Sequence, residues 1–281
     1  MPYFLYLIQG EAALVPNFQH LMERSDSDAI FLTYDQPLEY AIFFPNSTFS
    51  QGRNRLLEAA LHQGHDYLYY IFCDDDIGFL HGDWDAFEQQ LLTYMPAVGV
   101  PMVPKTRHLV LPGLPHQLFT VNDEQLLALH HDVVRERIVV PYQTQFDHLH
   151  WWASCEIQEI LIQTFYGANA LQFNTIRLTN DQHNRYQHGD ASFRKTIRVW
   201  LRKQLSGRCK SLRHNVFWGI PTSLYRTMLF FLRRRAGTRQ PILNAERINK
   251  ILAPDSELWQ QWDAGCYQEF TGLRKKLTFN L

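Results

Sequence analysis

Three consecutive carboxylates, Asp74, Asp75 and Asp76, close the most strand-like run in the chain, Tyr67-Leu68-Tyr69-Tyr70-Ile71-Phe72-Cys73. Aromatic and β-branched residues favour a pleated, buried strand. At a separation of about 5 Å, two unit charges repel by roughly 3 kcal/mol at an effective dielectric of about 20. Positive charge is therefore expected beside the triad. In an extended chain alternate residues share a side, which puts Asp74 and Asp76 together and turns Asp75 away. Two aligned carboxylates at the carboxyl end of an α/β strand suit a hard divalent cation, Mg²⁺ or Mn²⁺. A calcium EF-hand loop does not fit, because its sixth position needs Gly and Phe79 stands there counting from Asp74.

The elements that must position the triad follow from local patterning. Strands are expected at Tyr3–Ile8, Ala29–Tyr34 (ending at Asp35), Tyr40–Phe44 and Ala97–Met102. Helices are expected at Glu11–Arg24, at Gln51–His62 with Leu56, Leu57, Ala60 and Leu61 on one face, and from Asp83 as cap to about Tyr94. Strands alternating with helices give an α/β sheet with parallel core strands, and ligands bind at the carboxyl ends of such strands. Beyond Pro104 the pattern loosens. Strands are expected at Ile138–Val140, Phe146–Trp152 and Leu171–Leu178, a helix at Cys155–Phe165, and a polar loop at Thr179–Asp190. Basic amphipathic helices are expected at Ser192–Leu205 and Ser223–Arg235.

The 281 residues are 46% hydrophobic and 20% charged, an ordinary composition for one large globular domain or a domain with an appendage. The four cysteines, Cys73, Cys155, Cys209 and Cys266, have neither zinc spacing nor the density of a disulfide framework, so reduced thiols in a cytosolic setting are expected. No basic leader opens the chain, and no apolar stretch approaches the roughly 20 residues of a spanning helix. Charge is distributed unevenly. Residues 1–190 hold 9 Lys or Arg against 23 Asp or Glu, a net of −14, whereas residues 191–245 hold 13 Lys or Arg and no acid. Such a block marks a segment with its own role or one docked against the acidic part.

The stretch Gly52-Arg53-Asn54, opening a helix that leads into the strand ending in Asp74-Asp75-Asp76, resembles the nucleotide-sugar half of GT-A glycosyltransferases of the Asp-x-Asp, family-2-like type. The likeness covers residues 3–105, is weak over 106–190 and absent beyond. It implies an α/β, Rossmann-type mixed sheet flanked by helices. Residues 1–190 would form the catalytic domain, with a nucleotide-sugar half (1–105) and an acceptor half (106–190), followed by a basic helical region (191–281). It implies that Asp74 and Asp76 anchor Mn²⁺ or Mg²⁺ on the diphosphate of a UDP- or GDP-sugar. Asp75 would contact ribose or sugar hydroxyls, and Asp35 the nucleobase or ribose unless it is a turn residue. Gly52, Arg53 and Asn54 would face the nucleotide. A late His completing the metal shell is sought in His183 or His188. An inverting transfer needs a general base; Glu156 is the first candidate, Asp147 and Glu159 the others, and Glu156 also suits a plain helix start. Trp151 and Trp152 are either a sugar-stacking wall or core.

The function expected is metal-dependent glycosyl transfer to a glycan or lipid-linked acceptor in polysaccharide or glycoconjugate synthesis. A haloacid-dehalogenase-like phosphatase also places Asp-x-Asp after a buried strand. That family wants Thr or Val two residues beyond the second Asp, where Gly78 stands here. The third reading is a non-catalytic binding module. Within 191–245 the clusters Val216–Ile220 and Leu229–Leu232 lie among cationic residues, which suits an anionic membrane surface. Docking on the acidic domain and, with no motif to support it, nucleic-acid binding are the competing uses. The expected location is cytoplasmic, peripheral at the inner membrane face.

Overall fold

A computed structural model describes residues 2–103, 113–119, 124–167, 169–180 and 192–205. Its centre is made by two parallel neighbours, β1 (Phe4–Gly10) and β4 (Tyr69–Asp74). Neither strand has a polar face. Leu5, Leu7, Tyr70 and Phe72 enter one apolar layer, and Phe4, Tyr6, Ile8, Tyr69, Ile71 and Cys73 enter the other. A strand apolar on both sides must be covered on both sides, and helices do so. α1 (Phe49–His62) contributes Leu56, Leu57 and Ala60 to the first layer. A 3-10 helix at Val15–Met22 and α2 (Trp84–Tyr94) contribute Phe18, Leu21, Phe87 and Leu91 to the second.

The remaining strands are β2 (Ser27–Thr33), β3 (Ala41–Phe43), β5 (Ile77–His81), β6 (Val98–Met102), β7 (His116–Leu118), β8 (Leu126–His130) and β9 (Ala170–Asn180). Together they make a nine-stranded sheet in the order β3-β2-β1-β4-β8-β6-β9-β5, with β7 also on β9. β3, β2, β1 and β4 are parallel neighbours, and β6 and β9 form a second parallel pair. β8 is antiparallel to both β4 and β6 and joins the two groups. The architecture is therefore α/β with a mixed sheet flanked by helices, as expected.

Helix starts obey local chemistry. Thr48 caps α1 in a reciprocal capping box with Gln51, and Asp83 caps α2 by accepting from Ala86 N at 2.8 Å. The second half departs from expectation. Ile138–Val140 is not a strand, although all three side chains are buried in the first layer; β-branched residues there serve packing. Phe146–Trp152 is not a strand either, since a 3-10 turn at Thr144–Phe146 and further turns lead into α4 (Ala153–Leu161), which ends in a π-helical turn at Ile162–Tyr166. Within residues 11–24 the helix is a 3-10 helix at Val15–Met22 rather than an α-helix, with Pro16 at its start. β5, β7 and β8 were not expected. Leu126-Leu127-Ala128-Leu129 is made of strong helix formers, and its strand state is set by pairing on both sides.

α5 (Phe193–Gln204) is the described part of the basic region. Phe193, Ile197, Leu201 and Leu205 are buried in the first layer, and α5 packs on α4. Burying them stabilises the docked helix by about 2 kcal/mol each. Over this stretch the apolar face is core, which is the docking alternative. The expected helix at Ser223–Arg235 and the clusters at 216–220 and 229–232 lie outside the described residues. α3 (His131–Glu136) follows β8 directly. Among the described residues no helix is long and apolar enough to cross a membrane.

Candidate active site

β1 and β4 run out together, with Gln9 opposite Asp74. Because β8 is antiparallel, it begins where they end: Leu126 pairs with Cys73, and Asp74 N donates to Gln125 O at 3.0 Å. β9 reaches the same edge, pairing Asn180 with Ile77 just past the triad. Asp74 is the last residue of β4, and Asp75 and Asp76 form the turn into β5. Strand alternation therefore stops at Asp74 and does not govern the other two carboxylates.

The expected positive charge comes from within the fold. Arg53, on α1, is fully buried. Its Nη1 donates to Leu7 O at 3.3 Å and Cys73 O at 3.0 Å; its Nη2 donates to Glu124 O at 3.3 Å and to Asp74 Oδ1. The rings of Phe49 and Phe72 lie against the guanidinium, 4.9 and 5.6 Å from its carbon. A guanidinium stays protonated, so burying it requires both an anion and satisfied donors. Asp74 supplies the anion and three backbone carbonyls accept from Nη1 and Nη2, while Nε is buried and meets no acceptor among the described residues. Arg53, expected to face a nucleotide from a helix N-terminus, instead faces inward as the counter-ion of the triad.

Its neighbours on α1 are also engaged inside. Asn54 Nδ2 donates to Tyr142 O at 2.9 Å and Asn54 Oδ1 accepts from Tyr142 N at 2.7 Å, a reciprocal clamp on one residue. Gly52 makes room for a side chain of β1: a Cβ there would stand 2.5 Å from the Gln9 amide. Gln9 Oε1 is buried and meets no hydrogen-bond donor among the described residues.

Burial pushes the Asp74 carboxyl well above the usual carboxylate range; Arg53 opposes that, while Asp76, Asp75 and Glu124 add to it. Burial likewise raises Asp75 to about 6, against the pull of a hydrogen bond from Glu11 N at 2.6 Å. Asp75 folds onto the end of β1, where a Cβ on Gly10 would stand 2.1 Å from its own Cβ. Asp35 accepts from Ala12 N at 2.8 Å and holds the turn after β1.

The three candidate bases separate. Asp147 lies at the N-terminus of α1, where Ser50 Oγ donates to its Oδ1 at 2.8 Å and Thr48 Oγ1 to its Oδ2. Burial raises its pKa, against those two bonds. Glu156 is paired with α5, 3.3 Å from Arg194 Nε and 3.6 Å from Arg198 Nη2. Glu159 accepts from Gln163 Nε2 at 2.9 Å one turn along its own helix. Trp151 meets Phe49 edge-on at 6.4 Å, and Trp152 packs against the core. His183 and His188 lie outside the described residues.

One residue of this centre had no motif to announce it. Glu124 is 1% exposed at a positive φ of 55° before β8; its carboxylate accepts from Tyr142 Oη at 2.8 Å while its carbonyl takes Arg53. Gln9 is the other. Its only sequence signal is a polar residue closing an apolar strand that runs parallel to the triad's own.

No known family model matches the sequence, and no curated protein matches it. Among solved structures the chain is similar to A197 from STIV, at 11% identity and a TM-score of 0.40, over 64% of this chain and 85% of that one. It is also similar to a protein assigned as a nucleotide-diphospho-sugar transferase from Desulfovibrio desulfuricans G20, at 10% identity and a TM-score of 0.41, over 76% of this chain and 96% of that one. Likeness at this level assigns no chemistry.

Proposed function

We propose that the protein is a metal-dependent glycosyltransferase that takes its sugar from a nucleoside-diphosphate donor bound at the carboxyl end of β4. The observation that carries the reading is the arrangement there: three consecutive carboxylates at a strand end, one of them tied to a fully buried arginine. The donor set of Asp74 and Asp76 is all oxygen, which suits Mn²⁺ or Mg²⁺. Bound there, such a cation offsets the charge that develops on the leaving diphosphate. Arg53 engages Asp74 through Oδ1 and holds the carboxylate's orientation from below. β9 arrives beside Ile77 at Asn180, three residues before His183, which makes His183 our choice to complete the metal shell.

Asp147 is our choice of general base. It and Asp74 are held by the same helix, through Thr48 and Ser50 for one and Arg53 for the other. Ser50 and Arg53 are separated by roughly 4.5 Å of helix rise. In a single inverting displacement, Asp147 accepts the proton of the acceptor hydroxyl as its oxygen bonds to the anomeric carbon. The electron pair of the breaking sugar–phosphate bond leaves with the diphosphate. The acceptor is a glycan or lipid-linked sugar, and the basic residues that follow α5 in the sequence are our choice for contact with an anionic membrane.

The test is turnover or slow hydrolysis across a panel of UDP- and GDP-sugars with Mn²⁺. Activity is expected in wild type and lost in Asp76→Ala. If no donor binds with or without Mn²⁺, the reading fails and a non-catalytic binding role takes its place.

A further inference from the structure

The opposite end of β4 carries a second cluster of ligating side chains. β8 ends at His130, opposite Tyr69, the first residue of β4. The five residue steps of β4 put this cluster roughly 17 Å from Asp74. His130 closes the strand, His131 opens α3, and Asp132 follows it. His130 Nδ1 lies 3.6 Å from Asp132 Oδ2, and His131 Nε2 lies 3.0 Å from Asp132 Oδ1. One donor atom from each of the three residues lies within 4.8 Å of the others. Ligands of a tetrahedral Zn²⁺, each about 2.1 Å from the ion, stand about 3.4 Å apart, and the two His–Asp separations lie on either side of that spacing.

The rings are held for the task. His130 and His131 are 6% and 7% exposed, with ring centroids 4.4 Å apart. Tyr69 sets its ring at 80° to that of His130, at 5.2 Å. His130 Nδ1 accepts from Asp132 N at 3.3 Å. An accepting ring nitrogen is unprotonated, the form that ligates a metal, and coordination would take over the lone pair now given to Asp132 N.

We propose that His130 Nδ1, His131 Nε2 and the Asp132 carboxylate form a zinc site, with its fourth position taken by water or an external ligand. Two imidazoles and one carboxylate favour zinc over the hard cations that suit the triad, so the two ends of β4 take different metals. His131 Nε2 faces Asp132 Oδ1 at 3.0 Å; to ligate through Nε2 the neutral ring carries its proton on Nδ1, so binding zinc exchanges the tautomer and keeps the proton on the ring. The proposal is independent of the chemistry assigned to Asp74–Asp76.

Cobalt substitution in the chelator-stripped full chain tests it. Co²⁺ held by imidazoles in a tetrahedron gives intense visible bands, whereas an all-oxygen octahedral site gives weak ones. One equivalent of Co²⁺ is expected to give the intense bands in wild type and in Asp76→Ala, with Zn²⁺ bleaching them. His131→Gln and Asp132→Asn are expected to lose them and to bind zinc at least about a hundredfold more weakly, at or beyond what loss of an outer-shell partner costs. Zinc is expected to raise the melting temperature of wild type and not of either variant. Asp132→Asn keeps the shape and an acceptor for His131, so its metal-free melting serves as the folding control. Intense bands that survive in both variants, or zinc that leaves the imidazole resonances of His130 and His131 unshifted in wild type, overturn the proposal.

Discussion

At its carboxyl end β4 delivers three consecutive carboxylates; at its amino end it pairs with a strand that finishes in His130, followed by His131 and Asp132 at the start of α3. The acidic end is stabilised by elements far apart in the chain. Arg53 comes from α1, and its acceptors come from β1, β4 and Glu124 in the bend leading into β8. The histidine end is assembled from three successive residues. The difference follows from charge. Adjacent carboxylates repel and demand a buried cation, and a buried cation demands its own shell of acceptors. Imidazoles are neutral through much of the physiological range and can be placed side by side without one.

Arg53→Met is the hardest blow to the acidic end. It leaves Asp74 without its counter-ion and three carbonyls without their donor, and should cost about 3–5 kcal/mol, read as a lower denaturant midpoint. A variant as stable as wild type would remove the distinction between the ends. Asp76→Ala should leave stability nearly unchanged and lower Mn²⁺-dependent turnover at least about a hundredfold. His131→Gln, assayed in parallel, should leave turnover intact.

Glu88 provides a control away from both ends. It accepts from Tyr6 Oη and is paired with Arg24; burial raises its pKa from the ordinary value of 4.5 to about 7. The folded chain therefore holds this proton more tightly than the unfolded chain does. Stability should fall as pH rises from about 4.5 to about 7, by an amount on the order of 2 kcal/mol. Glu88→Gln should flatten that slope in melting curves taken across the window. Glu156→Gln should have the smallest effect. Its partners Arg194 and Arg198 are largely exposed, so less than about 1 kcal/mol is expected, measured as a small rise in proteolysis at α5.

The acidic end was legible because its signals are local. An apolar run closed by carboxylates, a capped helix before it and Asp83 as a cap can all be read from a few neighbouring residues. Arg53 illustrates the limit. Its position on α1 is readable, but a helix surface position does not say whether it faces solvent or the sheet. Only the strand pairings that bring Leu7, Cys73 and Glu124 together give it an interior. β8 was hidden because leucine and alanine favour helix and the pairing that overrides them is non-local. The histidine cluster needed only the observation that His130-His131-Asp132 offers three ligands in a row. The fold decided whether they converge.

The position of β8 also constrains the order in which the protein can be finished. β4 has its carboxylates and its arginine by residue 76, but its outer edge has no partner until residues 126–130 are made. Until then β6, already synthesised, has no strand to join it to β4. A nascent chain leaving the ribosome thus carries an open hydrogen-bonding edge for about fifty residues of synthesis, beside its most charged turn. The acidic centre matures late, when Glu124 arrives to take Arg53, and a fragment ending near residue 105 would hold the motif without the site.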